Sequence, residues 1–257
     1  MKKRIIIIAF LIGFLVSGAF YNIMGVLQYP LDNSDKEILR KAVRDILPDL
    51  IFDAVWDDYF YYSGTFDSSI EGWNAAAGGT GTIVFIGGLA TMSTGNVSGD
   101  SAGLDKSTNS DLLDWTKRSR FRIDAIPSQV TAQTIILIVG RDINGPNFTS
   151  HYGFKITDAT LYGITGDATD NAQTVVTLKT GLTAGAILRL EAWLLPNEKV
   201  VFYVNGEMVG VSTTNIPHTD NDLTAATNPE VFMFDITTNA AASKNMILNF
   251  FEFIEKK

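Results

Sequence analysis

Two alternating runs of apolar and polar residues meet at Asn205-Gly206 within "EKVVFYVNGEMVGVSTTNIP", Glu198 to Pro217. Both central residues tolerate the positive φ angles of a two-residue type I′ turn, so the pattern predicts a tight β-hairpin. A regular register pairs Val204 with Glu207, Tyr203 with Met208, Phe202 with Val209, Val201 with Gly210 and Val200 with Val211. Val200, Phe202, Val209 and Val211 then share one face, and Val201, Tyr203 and Met208 the other. Neither is the plain solvated side of an antiparallel sheet, so both faces are expected to be covered at least in part.

The same kind of pattern runs from Trp56 to the end: short apolar or alternating stretches separated by Gly, Asn, Asp, Ser and Thr. It predicts strands over 59–66, 81–86, 89–93, 118–126, 134–141, 152–157, 160–164, 174–179, 187–195, 199–204, 207–213, 230–236 and 245–255. That many antiparallel strands make an all-β sandwich or barrel. Upstream, Ser34-Asp35-Lys36-Glu37 is a capping-box pattern, followed by Leu39, Ala42, Val43, Ile46, Leu47 and Leu50 at helical spacing. The spacing predicts a helix over 35–47, ended by Pro48, whose apolar stripe needs a surface to dock on. The chain opens with Lys2, Lys3 and Arg4 ahead of an uncharged apolar run, the layout of an export signal. Ser17-Gly18-Ala19 suits cleavage, while apolar character continuing through Leu27 approaches the roughly 20 residues of a retained anchor. Three segments result: residues 1–27 as signal peptide or membrane anchor, 28–57 as a helical linker, and 58–257 as the β domain.

Charge and composition narrow the chemistry. The net charge is −8, and the cationic start makes the remainder more acidic still. Such a surface repels phosphates and argues against nucleic acid as a partner. With no cysteine, disulfides, thiolate metal sites and cysteine nucleophiles are excluded.

"GTFDSSIEGW" from Gly64, "GTIVFIGGLATMSTG", "RSRFRIDAIP", "ILRLEAWLLPNEKVVFYVNGEMVGVSTTNIP" and "KNMILNFFEFIE" together resemble the strand series of concanavalin A-like lectin and glucanase jelly rolls. The likeness is strongest to the laminin-G-like versions of prokaryotic surface and phage virion proteins, and it covers roughly Tyr59 to Lys257. It implies a two-sheet antiparallel jelly-roll sandwich whose concave outer face carries aromatic and apolar residues. The fold hosts lectins, hydrolases and structural modules alike, so it leaves function open.

Catalytic chemistry finds little support. Gly99-Asp100-Ser101-Ala102-Gly103 matches G-x-S-x-G, but an elbow needs a buried strand before it and a helix after it. Its polar, Gly-rich surroundings read as a loop or a weak edge strand. His151 and His218 are the only candidate bases, and neither sits in a recognisable motif. Glycosidases of the resembled fold share an E-x-D-x-x-E run, which is absent here; Glu252 and Glu255 point to opposite faces, and Glu191 has Arg189 and Trp193 as same-face neighbours. No catalysis is expected. Oxygen-rich loops leave calcium as the one conceivable cofactor, at Asp142 with Asn144, Asp167 with Asp170, or Asp220 with Asp222, though acidic turns are usually just solvated. Lys117-Arg118-Ser119-Arg120 reads as a solvated strand entrance, and Asn147 and Asn96 head glycosylation sequons.

A binding face remains. In "AILRLEAWLL", Leu188, Leu190, Ala192 and Leu194 point one way, leaving Arg189, Glu191 and Trp193 on the other, with Tyr203 on the neighbouring strand. An aromatic ring between charged hydrogen-bonding groups suits a sugar; alternatively, Trp193 and Tyr203 pack against a loop, the helix or another subunit. The expectation is an exported or anchored sandwich displayed outside a cell or on a virion, for attachment to a glycan or a surface component. The alternative is a structural subunit of a fibre, coat or virion that assembles with its own copies through lateral contacts.

Overall fold

The computed structural model describes residues 59–64, 66, 73–107, 113–140, 150–167, 172–218 and 230–256. All belong to one of the chain's two compact units, Asp58–Lys257. The predicted 35–47 helix and the 1–27 segment lie outside the described residues, as do Asp142, Asn144, Asp170, Asp220 and Asp222.

The described strands are β1 (Tyr59–Gly64), β2 (Asn74–Gly78), β3 (Thr82–Ile86), β4 (Leu89–Ser93), β5 (Ser101–Ser107), β6 (Ser119–Pro127), β7 (Gln133–Gly140), β8 (His151–Thr157), β9 (Thr160–Asp167), β10 (Ala172–Lys179), β11 (Leu188–Leu195), β12 (Lys199–Val204), β13 (Glu207–Ser212), β14 (Glu230–Thr238) and β15 (Asn245–Lys256). They form two antiparallel sheets. One has eight strands in the order β13-β12-β11-β6-β15-β4-β3, with β1 also paired to β15. The other has seven, in the order β10-β9-β8-β7-β14-β5-β2. The architecture is the predicted all-β, two-sheet antiparallel sandwich.

Period-two alternation sets which side chains enter the core. On β6, Phe121, Ile123 and Ala125 face inward with no exposed surface, and on β11 Leu188, Leu190, Ala192 and Leu194 are likewise turned inward and buried. From the opposite sheet come Ile135, Leu137 and Val139 of β7, Tyr152, Phe154 and Ile156 of β8, and Phe232, Phe234 and Ile236 of β14. At about 1.5–3 kcal/mol for each fully buried large apolar side chain, this layer is what holds the sheets together. Its centre is aromatic: Phe234 of one sheet meets Phe121 and Phe251 of the other at 6.1 and 6.0 Å, with Phe66 and Trp73 alongside at 6.3 and 5.3 Å.

The β12–β13 hairpin turns as its sequence dictates, with Asn205 at φ 54° and Gly206 at φ 86°. Its register departs from the regular one at Val209. Val204–Glu207 and Tyr203–Met208 pair as expected, but Phe202 then pairs with Gly210, Val201 with Val211 and Val200 with Ser212. The unpaired residue is a β-bulge, which shifts the rest of the strand by one position. Val211 therefore joins Val201, Tyr203 and Met208 on the outer face, and Ser212 turns inward. There Thr165 Oγ1 lies 2.9 Å from Ser212 Oγ and donates to the Thr214 carbonyl at 3.0 Å, tying the edges of the two sheets. Gly210 sits under Leu178 of β10, where a Cβ would approach that side chain to 2.5 Å. The inner face of the hairpin is the better covered, with Val200, Phe202 and Val204 buried and Val209 partly so. Phe202 packs on Phe154 with ring centroids 5.6 Å apart, while Met208 and Val211 remain 63% and 39% exposed.

Two strands escaped the sequence pattern. β2 is Ala- and Gly-rich, and β5 begins inside the stretch read as a loop or weak edge strand. β5 is instead an interior strand, held between β14 and β2. Small residues serve there because neighbours crowd it: a Cβ on Gly103 would meet Asp235 Oδ2 at 3.1 Å, and one on Gly78 would meet Ser101 Oγ at 2.7 Å.

Candidate ligand-binding face

Strand register assembles the outer face of the eight-stranded sheet. Trp193 of β11 is level with Val201 of β12 and Arg120 of β6, and Val201 in turn with Val211 of β13. In the next row Met208, Tyr203, Glu191, Arg122 and Glu252 follow one another across β13, β12, β11, β6 and β15. In the third, Arg189 is level with Asp124 and Asp124 with Phe250. Arg189, Glu191, Trp193 and Tyr203, singled out in the sequence, thus come together on one surface.

Trp193 is 42% exposed, yet its orientation is fixed on several sides. Its Nε1 donates to Glu191 Oε1. The Arg120 guanidinium lies 5.7 Å from the ring centroid, within cation–π range, and Tyr203 packs at 6.4 Å with a tilt of 55°. Arg120 is itself held between two carboxylates: it donates to Glu252 Oε1 through one terminal nitrogen, and its Nε lies 3.9 Å from Glu191 Oε1. The result is an open indole on a pre-set charge lattice, continuing through Tyr203 and Val201 to Met208 and Val211.

The third row is a second polar group. Asp124 is 8% exposed, with Arg122 Nε 3.9 Å from one of its oxygens and Arg189 Nε 3.8 Å from the other. The Arg122 guanidinium rests 5.3 Å from the Phe250 ring. Arg189 is anchored through its backbone, its N–H donating to Asn205 Oδ1 at 3.0 Å and its carbonyl accepting from Asn205 N–H at 2.8 Å. Sequence reasoning missed Arg120, Arg122, Asp124 and Glu252. The alternation in "SRFRIDAIP" marks them as outward, but only cross-strand register brings them beside Trp193.

The remaining sequence candidates do not converge. Ser101 is level with Thr237, Thr134 and, through them, Thr157 at the end of β8 opposite to His151. His151 has no exposed surface and its Nε2 lies 2.9 Å from Gln173 Nε2. His218 Nδ1 is 3.2 Å from the buried Asp167. Gly99–Gly103 leads into a strand, not the helix an elbow requires. Among the described residues no group of three His, Asp or Glu side chains is placed to hold a metal ion. No described helix is long and apolar enough to cross a membrane.

No family profile matches the chain, and no curated protein matches it. Solved structures do. A protein of unknown function from Shewanella oneidensis MR-1 superposes with a TM-score of 0.55 at 16% identity, over 77% of this chain and 87% of that one. The Bacillus licheniformis β-glucanase matches with a TM-score of 0.54 at 12% identity, over 75% and 97% of the two chains. Botulinum neurotoxin type C, which depends upon interaction with two ganglioside molecules to enter cells, matches at 0.54 and 11%, over 79% of this chain and 49% of the toxin chain. At these identities the likeness concerns the fold, and that fold is the concanavalin A-like sandwich.

Proposed function

We propose that this concanavalin A-like sandwich is a non-catalytic attachment module that binds glycans on the outer face of its eight-stranded sheet, displayed outside a cell or on a virion. The observation that carries the reading is Trp193: a half-open indole, oriented by Glu191, Arg120 and Tyr203, with hydrogen-bonding charges around it. A sugar offers a C–H face to such a ring and hydroxyls to the surrounding groups, and fixing the ring beforehand lowers the entropic cost of binding. Solved structures of the same fold include glucanases and a ganglioside-dependent toxin, which supports a carbohydrate ligand. A binding role fits better than hydrolysis because the E-x-D-x-x-E run is absent and Glu191 and Glu252 are both engaged by Arg120. Display outside the cell rests on the cationic and apolar start of the sequence.

The test is a glycan array with the intact protein and its Trp193→Ala variant. Binding should fall at least tenfold in the variant, while folding stability changes by about 1 kcal/mol or less, as expected of a substitution outside the core. Unchanged binding would remove this face from consideration.

One observation favours the second reading, a subunit assembling laterally. β3 is an edge strand without charge or proline, and Val84, Ile86 and Leu89 around it are 46%, 71% and 36% exposed. Such edges pair with other strands unless blunted. A protein that stays monomeric at high concentration in sedimentation experiments would exclude this route.

A further inference from the structure

We infer that the glycan this face prefers is an anionic one, whose carboxylate or sulfate is received between Arg189 and Arg122 while a sugar ring lies on Trp193; the inference rests on the glycan reading and specifies its ligand class. Two guanidiniums share one carboxylate at this place. Asp124 lies in the floor of the sheet, with Arg122 and Arg189 on separate oxygens at 3.9 and 3.8 Å. Both separations exceed hydrogen-bonding distance, and Asp124 Oδ1 is buried without a hydrogen-bond partner. The two arginines are therefore held close by Asp124 electrostatically without being closed on it, and their planar forks keep donors for an oxyanion. One negative charge against two positive ones leaves a local excess of one.

The setting reinforces that excess. Glu191, the carboxylate between Arg189 and Trp193 on β11, accepts from the indole and lies near Arg120, so its charge is directed toward the other end of the face. Arg120, Arg122 and Arg189 match Glu191, Asp124 and Glu252 in number, and because both glutamates are turned to Arg120 the excess stays at the Arg189 end, on a chain whose net charge is −8. Arg189 combines access and rigidity: its side chain is 63% exposed, and its backbone is bonded to Asn205 on both sides. Arg122 is steadied by the Phe250 ring. Arg189 and Trp193 are four residues apart on one strand, roughly 13 Å at the ordinary rise per residue. That span exceeds one hexose ring, so the ligand is an oligosaccharide lying along β11 with its acidic group at the Arg189 end.

The experiment is a titration of the full chain with three hexasaccharides: chitohexaose, which is neutral; hyaluronan hexasaccharide, which carries carboxylates; and heparin hexasaccharide, which carries sulfates as well. At 50 mM salt at least one charged ligand should bind ten times more tightly than chitohexaose or better, and the preference should shrink at 500 mM salt as the charges are screened. The Arg189→Ala and Arg122→Ala variants should each collapse the charged-to-neutral ratio toward one. Which charged ligand leads tells carboxylate from sulfate. Equal affinity for all three, lost in Trp193→Ala, would overturn the anion preference and leave the glycan reading standing. A charge preference that survives both arginine variants would also overturn it. Binding of none of the three, with no hit on the array, would overturn both.

Discussion

At the scale of single residues, burial and register assign roles that residue type alone does not. Trp193 was visible in the sequence as an outward aromatic on an otherwise inward-packing strand. Its anchoring by Arg120 was not, because Arg120 is more than 70 positions away in the chain and meets it only through the β6–β11 ladder. Asp235 shows the same dependence on surroundings. It lies on the outer face of β14 and accepts from Thr237 Oγ1 at 2.9 Å. Burial pushes its carboxyl above the ordinary aspartate value, with the Thr237 hydroxyl opposing. The folded protein thus holds this proton more tightly than the unfolded chain does. Asp235 favours folding at low pH, and that contribution is lost as pH rises from the unfolded value through the folded one. Asp235→Asn keeps an acceptor for Thr237 and removes the charge, so its stability relative to the native protein should rise between pH 3 and pH 7. Thermal melts across that range check it, and a stability difference independent of pH would contradict the assignment.

At the scale of elements, the hairpin separates what a local pattern specifies from what it leaves undetermined. Asn205-Gly206 fixes the turn because both residues accept positive φ, and the first two pairs follow from the turn. The bulge at Val209 does not follow. It is favoured by two distant partners, Thr165, which receives Ser212, and Leu178, whose Cδ2 would have to move to admit a Cβ at position 210. Deleting Val209 should therefore be tolerated, since it leaves every pair from Phe202–Gly210 onward in place. The cost should be about 1–2 kcal/mol for lost packing of one partly buried valine. Deleting Ala192 from the regular β11 should be far worse, because it would send Trp193 inward and Leu194 outward. Cooperative melting of the first variant and its loss in the second would bear this out; similar melting of both would contradict it. β2 and β5 make the converse point: strands this rich in Ala, Gly and Ser carry little propensity signal, and they extend because β14 offers β5 a ladder and β5 offers one to β2.

At the scale of the whole molecule, stability depends on contact between sheets. Phe234 sits where rings from both sheets and from the segments holding Phe66 and Trp73 meet. Phe234→Ala should cost about 3–5 kcal/mol through the cavity it leaves. Against the 5–15 kcal/mol typical of a folded domain, that is a large share of the total. Denaturant unfolding measures it, and a loss under 1 kcal/mol would mean the two sheets are held mainly elsewhere. The glycan face is built on the outward side of this core, so its side chains stand on strands fixed by packing, and Trp193 can be truncated without disturbing the layer beneath.

The sequence by itself determined the β class, most strand positions, the hairpin turn, and the outward placement of Arg189, Glu191, Trp193 and Tyr203. These follow from backbone rules that act over a few residues: alternation of faces along a strand and the φ tolerance of turn residues. Only the tertiary structure decided the bulge, the two small-residue strands, and the arrangement of Arg120, Arg122, Asp124 and Glu252 around the indole. Each is a relation between strands distant in sequence, and period-two alternation specifies which face a side chain joins but not which strand lies beside it.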